Sequence, residues 1–203
     1  MTQERLRFGC CYHLFYSGNP KEAVFRLEKD YYSFLDLLRK YVGPIVYLYA
    51  YCLLPSHFHL LLRVKDKKEI EYVYSHNGML WGQFAHLINE YTKYSNRSYQ
   101  RSGSLIERCS TREIPRSKDL VCDLVVYIHK NPQIFGIVSD FRYWPFSSCT
   151  AHIRQDRRSM IAKEFLLDHG CHKRIVELQD MPRHPVMDRE VIIATEVEKN
   201  AGS

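Results

Sequence analysis

Two apolar runs separated by a short punctuation mark decide the architecture. They are Ile45-Val-Tyr-Leu-Tyr-Ala-Tyr-Cys-Leu-Leu54, the pair Pro55-Ser56, and His57-Phe-His-Leu-Leu-Leu-Arg-Val64. The first run is continuous and carries aromatic and β-branched members, which reads as a buried strand. It is ten residues long, whereas a helix crossing a bilayer needs roughly 20. Pro55-Ser56 reads as a tight connection, and residues 57–64 as a second strand forming a hairpin with the first. Along that second strand the period of two puts His57 and His59 on the same face.

Working outward, Cys10-Cys-Tyr-His-Leu-Phe-Tyr16 is β-prone and ends at the turn signal Ser17-Gly18-Asn19-Pro20. A helical pattern follows from Lys21 to Tyr41, with Phe25, Leu27, Tyr31, Phe34, Leu35 and Leu38 near helical spacing and Gly43-Pro44 as its stop. Residues 67–98 read as mostly helical, then a short extended piece around 103–106, then a helix from Pro115 to Lys130 stopped by Asn131-Pro132. This order, strand-helix-strand-strand-helix-strand-helix, predicts an α+β fold: an antiparallel sheet with helices packed on one face. Residues 1–150 are expected to hold it. Residues 151–203 are expected to add a C-terminal helical extension, near Lys163–His169, and a loose tail from residue 180.

Composition narrows the function classes. Aromatic residues make up 13% of 203 residues, too many for a disordered chain. The net charge of +6 permits a polyanionic partner without requiring one. The N-terminus lacks the apolar segment of a secretory signal. The seven cysteines include no C-x-x-C pair, so reduced thiols in a cytoplasmic protein are expected rather than a zinc site at Cys109, Cys122 or Cys149.

Two constellations could carry chemistry. His57 and His59 have a spacing that suits two ligands of one metal ion, and equally suits an unremarkable pair of strand histidines. Tyr127 and Asn131, four apart, share a helix face. Core packing and an ordinary helix end explain them as well.

The wider wording separates these readings. Tyr51-Cys-Leu-Leu-Pro-Ser-His57-Phe-His59-Leu-Leu-Leu-Arg63 resembles the HUH strand (His, hydrophobic, His) of single-tyrosine transposases. Leu124-Val-Val-Tyr127-Ile-His-Lys-Asn131-Pro132 resembles their tyrosine helix, and Gly136-Ile-Val-Ser-Asp-Phe-Arg-Tyr-Trp144-Pro-Phe-Ser-Ser148 the segment after it. The wording is most similar to REP-associated tyrosine transposases and related insertion-sequence transposases, over roughly residues 9–150. The resemblance implies a ferredoxin-like α+β layer. It also implies a divalent Mg or Mn ion on His57, His59 and Asn131, and Tyr127 as the nucleophile toward single-stranded, hairpin-bearing DNA, in a monomer or a homodimer. The sequence departs from the family at Ser56, where many members have Asn, and at Ser17, where an Arg is usual.

Basic residues gather before the tyrosine helix: Arg97, Arg101, Arg108, Arg112, Arg116 and Lys118, with Arg63 at the end of the HUH strand. They read either as a solvated surface of mixed charge or as a DNA-binding, phosphate-tracking surface, with Tyr99 as a stacking platform. Two other functions stay open at this level: a non-transposing nucleic-acid-binding protein, and a metal-dependent phosphodiesterase that hydrolyses its substrate.

Overall fold

The computed structural model describes residues 6–18, 22–71, 80–114, 117–154 and 159–162, without the side chains of 71, 108, 111, 112 and 118. The chain runs β1 (Cys11–Gly18), α1 (Glu28–Tyr41), β2 (Val46–Leu53), β3 (His57–Val64), α2 (Lys67–Glu71), α3 (Leu80–Tyr99), β4 (Ile106–Ile114), α4 (Lys118–Ile134), a 3-10 turn at Phe141–Tyr143, and α5 (Cys149–Ile153). The four strands form one antiparallel sheet in the order β2-β3-β1-β4. This is the expected α+β, ferredoxin-like order.

Alternation along β1 and β3 sorts their side chains into two layers. Tyr16 stacks on Phe58 (ring centroids 4.9 Å), and Phe58 packs against Phe34 of α1 (4.6 Å). Tyr91 of α3 closes the same layer against Phe34 and Phe25. The expectation of helices on one face therefore describes α1 and α3. The opposite face carries His13, Phe15, His57 and His59, and α4 covers it, with Tyr127 5.9 Å from His59 and Phe135 4.9 Å from His57. Nearly every residue of α4 from Val121 to Pro132 is buried, which is why its apolar pattern lacks a clean polar side.

Two helix boundaries differ from the sequence reading for local reasons. Helix α1 starts at Glu28 rather than Lys21 because Asp30 organises its first turn. The Asp30 carboxylate accepts from the N–H of Leu27 (2.8 Å) and Arg26 (2.9 Å), and from the hydroxyls of Tyr94 (3.0 Å) and Tyr99 (2.7 Å). Burial alone would raise its pKa. The four donors outweigh burial and hold it below the ordinary carboxylate value. Asp30→Ala should strand buried donors and lower stability by roughly 3 kcal/mol, read as a drop in the urea midpoint at pH 7. Helix α4 runs through Pro132 to Ile134, since a proline in the last turn removes only one hydrogen bond that its side-chain neighbour can partly replace.

The outer edge of β2 is covered. Leu53 N–H donates to Phe146 O, Ser148 N–H to Tyr51 O, and Ala162 N–H to Leu48 O. These bonds extend the body past residue 150 and remove an exposed edge. The segments expected as a helix near 163–169 and a tail from 180 lie outside the described residues. Cys10, Cys11, Cys52, Cys109 and Cys149 stand outside any disulfide. Cys122 is disulfide-bonded, against the expectation of reduced thiols, and no short-range cysteine pair in the sequence signals it.

Candidate active site

Hairpin geometry sets the position of His57. Leu54 N–H donates to His57 O (2.8 Å) across Pro55-Ser56, and the tip is latched from outside: Gly18 N–H bonds Ser56 O, while Val24 and Phe25 N–H bond Pro55 O. The register shifts at Ser17/Gly18, a bulge beside the site. Gly18 is required there because a Cβ would meet Val24 Cγ2 at 2.6 Å.

The structure brings His57, His59, Tyr127 and Asn131 together on one face of the sheet, none more than 6% exposed. The His57 and His59 rings lie 5.3 Å apart and nearly perpendicular. Phe15 wedges against both, 5.5 and 5.0 Å away. His57 Nδ1 lies 3.0 Å from Ser56 Oγ, and His59 Nδ1 lies 3.0 Å from His13 Nε2. Each ring thus uses its Nδ1 in a hydrogen bond and leaves Nε2 buried without a partner.

Asn131 is fixed by the proline beside it. Pro132 has no N–H, so Ile128 O loses its helical donor. The Asn131 Nδ2 amino group turns back to Tyr127 O (2.8 Å) and toward Ile128 O (3.5 Å). With its donors committed, its Oδ1 is left buried and unpartnered. Burial holds His57 neutral, with a pKa lowered to about 3. His59 is pushed well below the ordinary value by burial and by His13 and His57; only the Asn131 carboxamide, which would accept from a charged ring, opposes this.

His129 lies on the far side of α4, where its Nε2 sits 2.6 Å from Ser148 Oγ. The basic residues are less concentrated than their sequence clustering suggests. Arg101 is bound by Glu22, Asn96 Oδ1 and Ser104 O, and is a structural brace. Arg63 reaches Asp66 and Gly9 O, and six residues of strand separate it from His57 by about 20 Å. Arg97 lines the groove between α1 and α3, behind the sheet. Tyr99 spends its hydroxyl on Asp30 and its ring face on Arg26. Each of these four is engaged within the fold or lies away from the histidine face. The β4 register sets positions 108 and 112 opposite Ser17 and His13. Lys118 opens α4, and Arg116 lies outside the described residues.

Sequence reasoning missed His13 and Ser17. Ser17 pairs with His57 in register and keeps a buried, unpartnered hydroxyl. The signal for both was available: they sit at alternate positions of β1, two and four residues apart from Phe15 and from each other.

The fold has a counterpart among solved structures. One, described as a REP-associated tyrosine transposase bound to a REP hairpin, superposes with a TM-score of 0.54 over 79% of this chain and 90% of its own, at 15% identity. The chain is similar in fold to that transposase. A bacterial tRNA(His) guanylyltransferase-like protein in complex with GTP matches at a TM-score of 0.43, 9% identity and 66% of this chain against 68% of its own. The sequence matches no protein-family model and no curated protein. Among the described residues, no helix is long and apolar enough to cross a membrane.

Proposed function

We propose that this chain is a DNA transposase that nicks single-stranded, hairpin-bearing DNA and transfers the strand through Tyr127. One observation carries the reading. Three buried polar atoms, His57 Nε2, His59 Nε2 and Asn131 Oδ1, lack hydrogen-bond partners beside the Tyr127 ring. Leaving such atoms unmet costs about 1–3 kcal/mol each, so a set of three on one face argues for a group that completes them. Two imidazole nitrogens and a neutral amide oxygen fit a divalent Mg or Mn ion with places left for phosphate oxygens. When bound, such an ion neutralises phosphate charge and orients the phosphate for in-line attack.

The chain's own residues supply the rest. Tyr127 Oη forms a bond to a backbone phosphorus and loses its proton. The P–O3′ bond breaks, and the departing oxygen becomes a 3′-hydroxyl. The 5′-phosphotyrosine link keeps the strand in reach for rejoining. Phe15 and Phe135 flank the histidines and limit water, which would otherwise hydrolyse the link. His129, engaged with Ser148, takes no part in moving the Tyr127 proton. One tyrosine per site means that two cleavages need two subunits or two rounds. The hairpin substrate follows from likeness to the hairpin-bound transposase, and a cytoplasmic setting gives access to it.

The test is to incubate the protein with hairpin-bearing single-stranded oligonucleotides and Mn or Mg, then resolve the products under denaturing conditions. A denaturant-resistant protein–DNA band that disappears with EDTA is expected. Cleavage without the band would replace the proposal with a phosphodiesterase. Binding with neither cleavage nor band would leave a nucleic-acid-binding protein.

A further inference from the structure

The proposed site leaves one question open: what holds each imidazole so that its Nε2, rather than its Nδ1, faces the pocket. For His57 the neighbour in sequence, Ser56, does so. For His59 the partner comes from a different strand. His13 stands on β1, where Leu61 and not His59 is its register partner, yet its side chain reaches diagonally to His59.

The contact is directional. His13 Nε2 and His59 Nδ1 are 3.0 Å apart, and the rings lie within 14° of parallel with centroids 5.2 Å apart. The nitrogen separation and two ring radii account for that whole centroid distance. The nitrogens therefore point at each other in the plane of the rings, as in a linear hydrogen bond, and the rings are not stacked face to face. Both side chains are at most 1% exposed, so water cannot take over either end.

A neutral imidazole carries one proton. If His13 accepts at Nε2, the His59 proton sits on Nδ1 and the His59 Nε2 lone pair is free. If the roles reverse, His59 holds its proton at Nε2 and cannot ligate. We propose that His13 is a positioning residue that fixes His59 in its Nδ1–H tautomer and so presents Nε2 as a ligand for the divalent ion. The inference rests on the metal-binding reading above. Outer partners of this kind set ligand orientation and typically change metal affinity by about 10–100-fold when lost.

The experiment uses the full chain, histidine-selective 15N NMR without metal, and Mn2+ affinity by EPR. Wild type should show His59 as the Nδ1–H tautomer. His13→Leu should weaken Mn2+ binding by about 10–100-fold and release His59 into a mixture of tautomers. His13→Gln, whose amide oxygen reaches about as far as the imidazole Nε2, should bind within about threefold of wild type, whereas the shorter His13→Asn should bind as weakly as the Leu variant. Should His13→Leu fail to fold, the wild-type tautomer and the comparison of Gln with Asn still decide. An Nε2–H tautomer at His59 in wild type, or equal Mn2+ affinity in the Gln and Asn variants, overturns the inference and leaves the proposed nuclease chemistry standing. Absence of Mn2+ binding to wild type overturns the metal reading itself, and the role of His13 with it.

Discussion

Tyr127→Phe is expected to abolish the covalent protein–DNA adduct, lowering strand cleavage on the order of 10^4-fold or more, as removal of a nucleophile does. The change deletes one oxygen from a side chain that is 6% exposed and leaves its ring packing near His59 and His13 intact. Stability should therefore shift by only about 1 kcal/mol, and Mn2+ affinity should stay at the wild-type value, because the phenol is not among the proposed ligands. The control is Tyr143, in the 3-10 turn beyond α4 and 82% exposed, the most exposed tyrosine among the described residues. Tyr143→Phe should retain the adduct. A band that persists in Tyr127→Phe and vanishes in Tyr143→Phe would move the nucleophile out of the histidine pocket and dismantle the proposed mechanism.

Acidification should destabilise the metal-free protein. Burial lowers the pKa of His57 to about 3 and pushes His59 and His129 well below the ordinary histidine value. The unfolded chain titrates near 6.5, so between about pH 6.5 and pH 3 it binds more protons than the folded one. Stability is then fully present above pH 6.5 and falls as pH drops through this window. At pH 5, His57 alone accounts for a loss of roughly 2 kcal/mol, and His59 and His129 act in the same direction. Against a typical stability of about 5–15 kcal/mol this is a large share. Urea midpoints at pH 7, 6 and 5 in EDTA should decline steadily. A midpoint that stays level to pH 5 would mean that these rings are not buried as neutral groups.

The parts of the molecule legible in the sequence were those fixed by local pattern. The β2–β3 hairpin and the bounds of β3 follow from an apolar run, a proline and a period of two, so the shared face of His57 and His59 could be read directly. Tyr127 and Asn131 likewise follow from helical spacing. What escaped depends on groups distant in sequence. Asp30 delays α1 through donors that include Tyr94 and Tyr99. Pro132 looked like a stop because the Asn131 side chain that partly compensates it is invisible in a residue string. Strand β4 reads as polar because it forms the sheet edge and needs few apolar residues. The basic residues part company for a related reason: closeness in sequence says nothing about whether a guanidinium is already held, as Arg101 is by Glu22. His13 belongs to the same class, since its meaning appears only when β1 lies beside β3.

The return segment after α4 has an optical consequence. It rounds the β2 edge, donates from Trp144 Nε1 to Leu53 O (2.8 Å), and stacks Phe146 on Tyr31 of α1 at 3.8 Å. The chain has two tryptophans, and the other, Trp81, stands at the start of α3 against Phe84. Removing Trp81 leaves a single indole whose emission reports on how the segment after α4 is seated. The seating of that segment on the β2 edge can then be followed in solution without a dye.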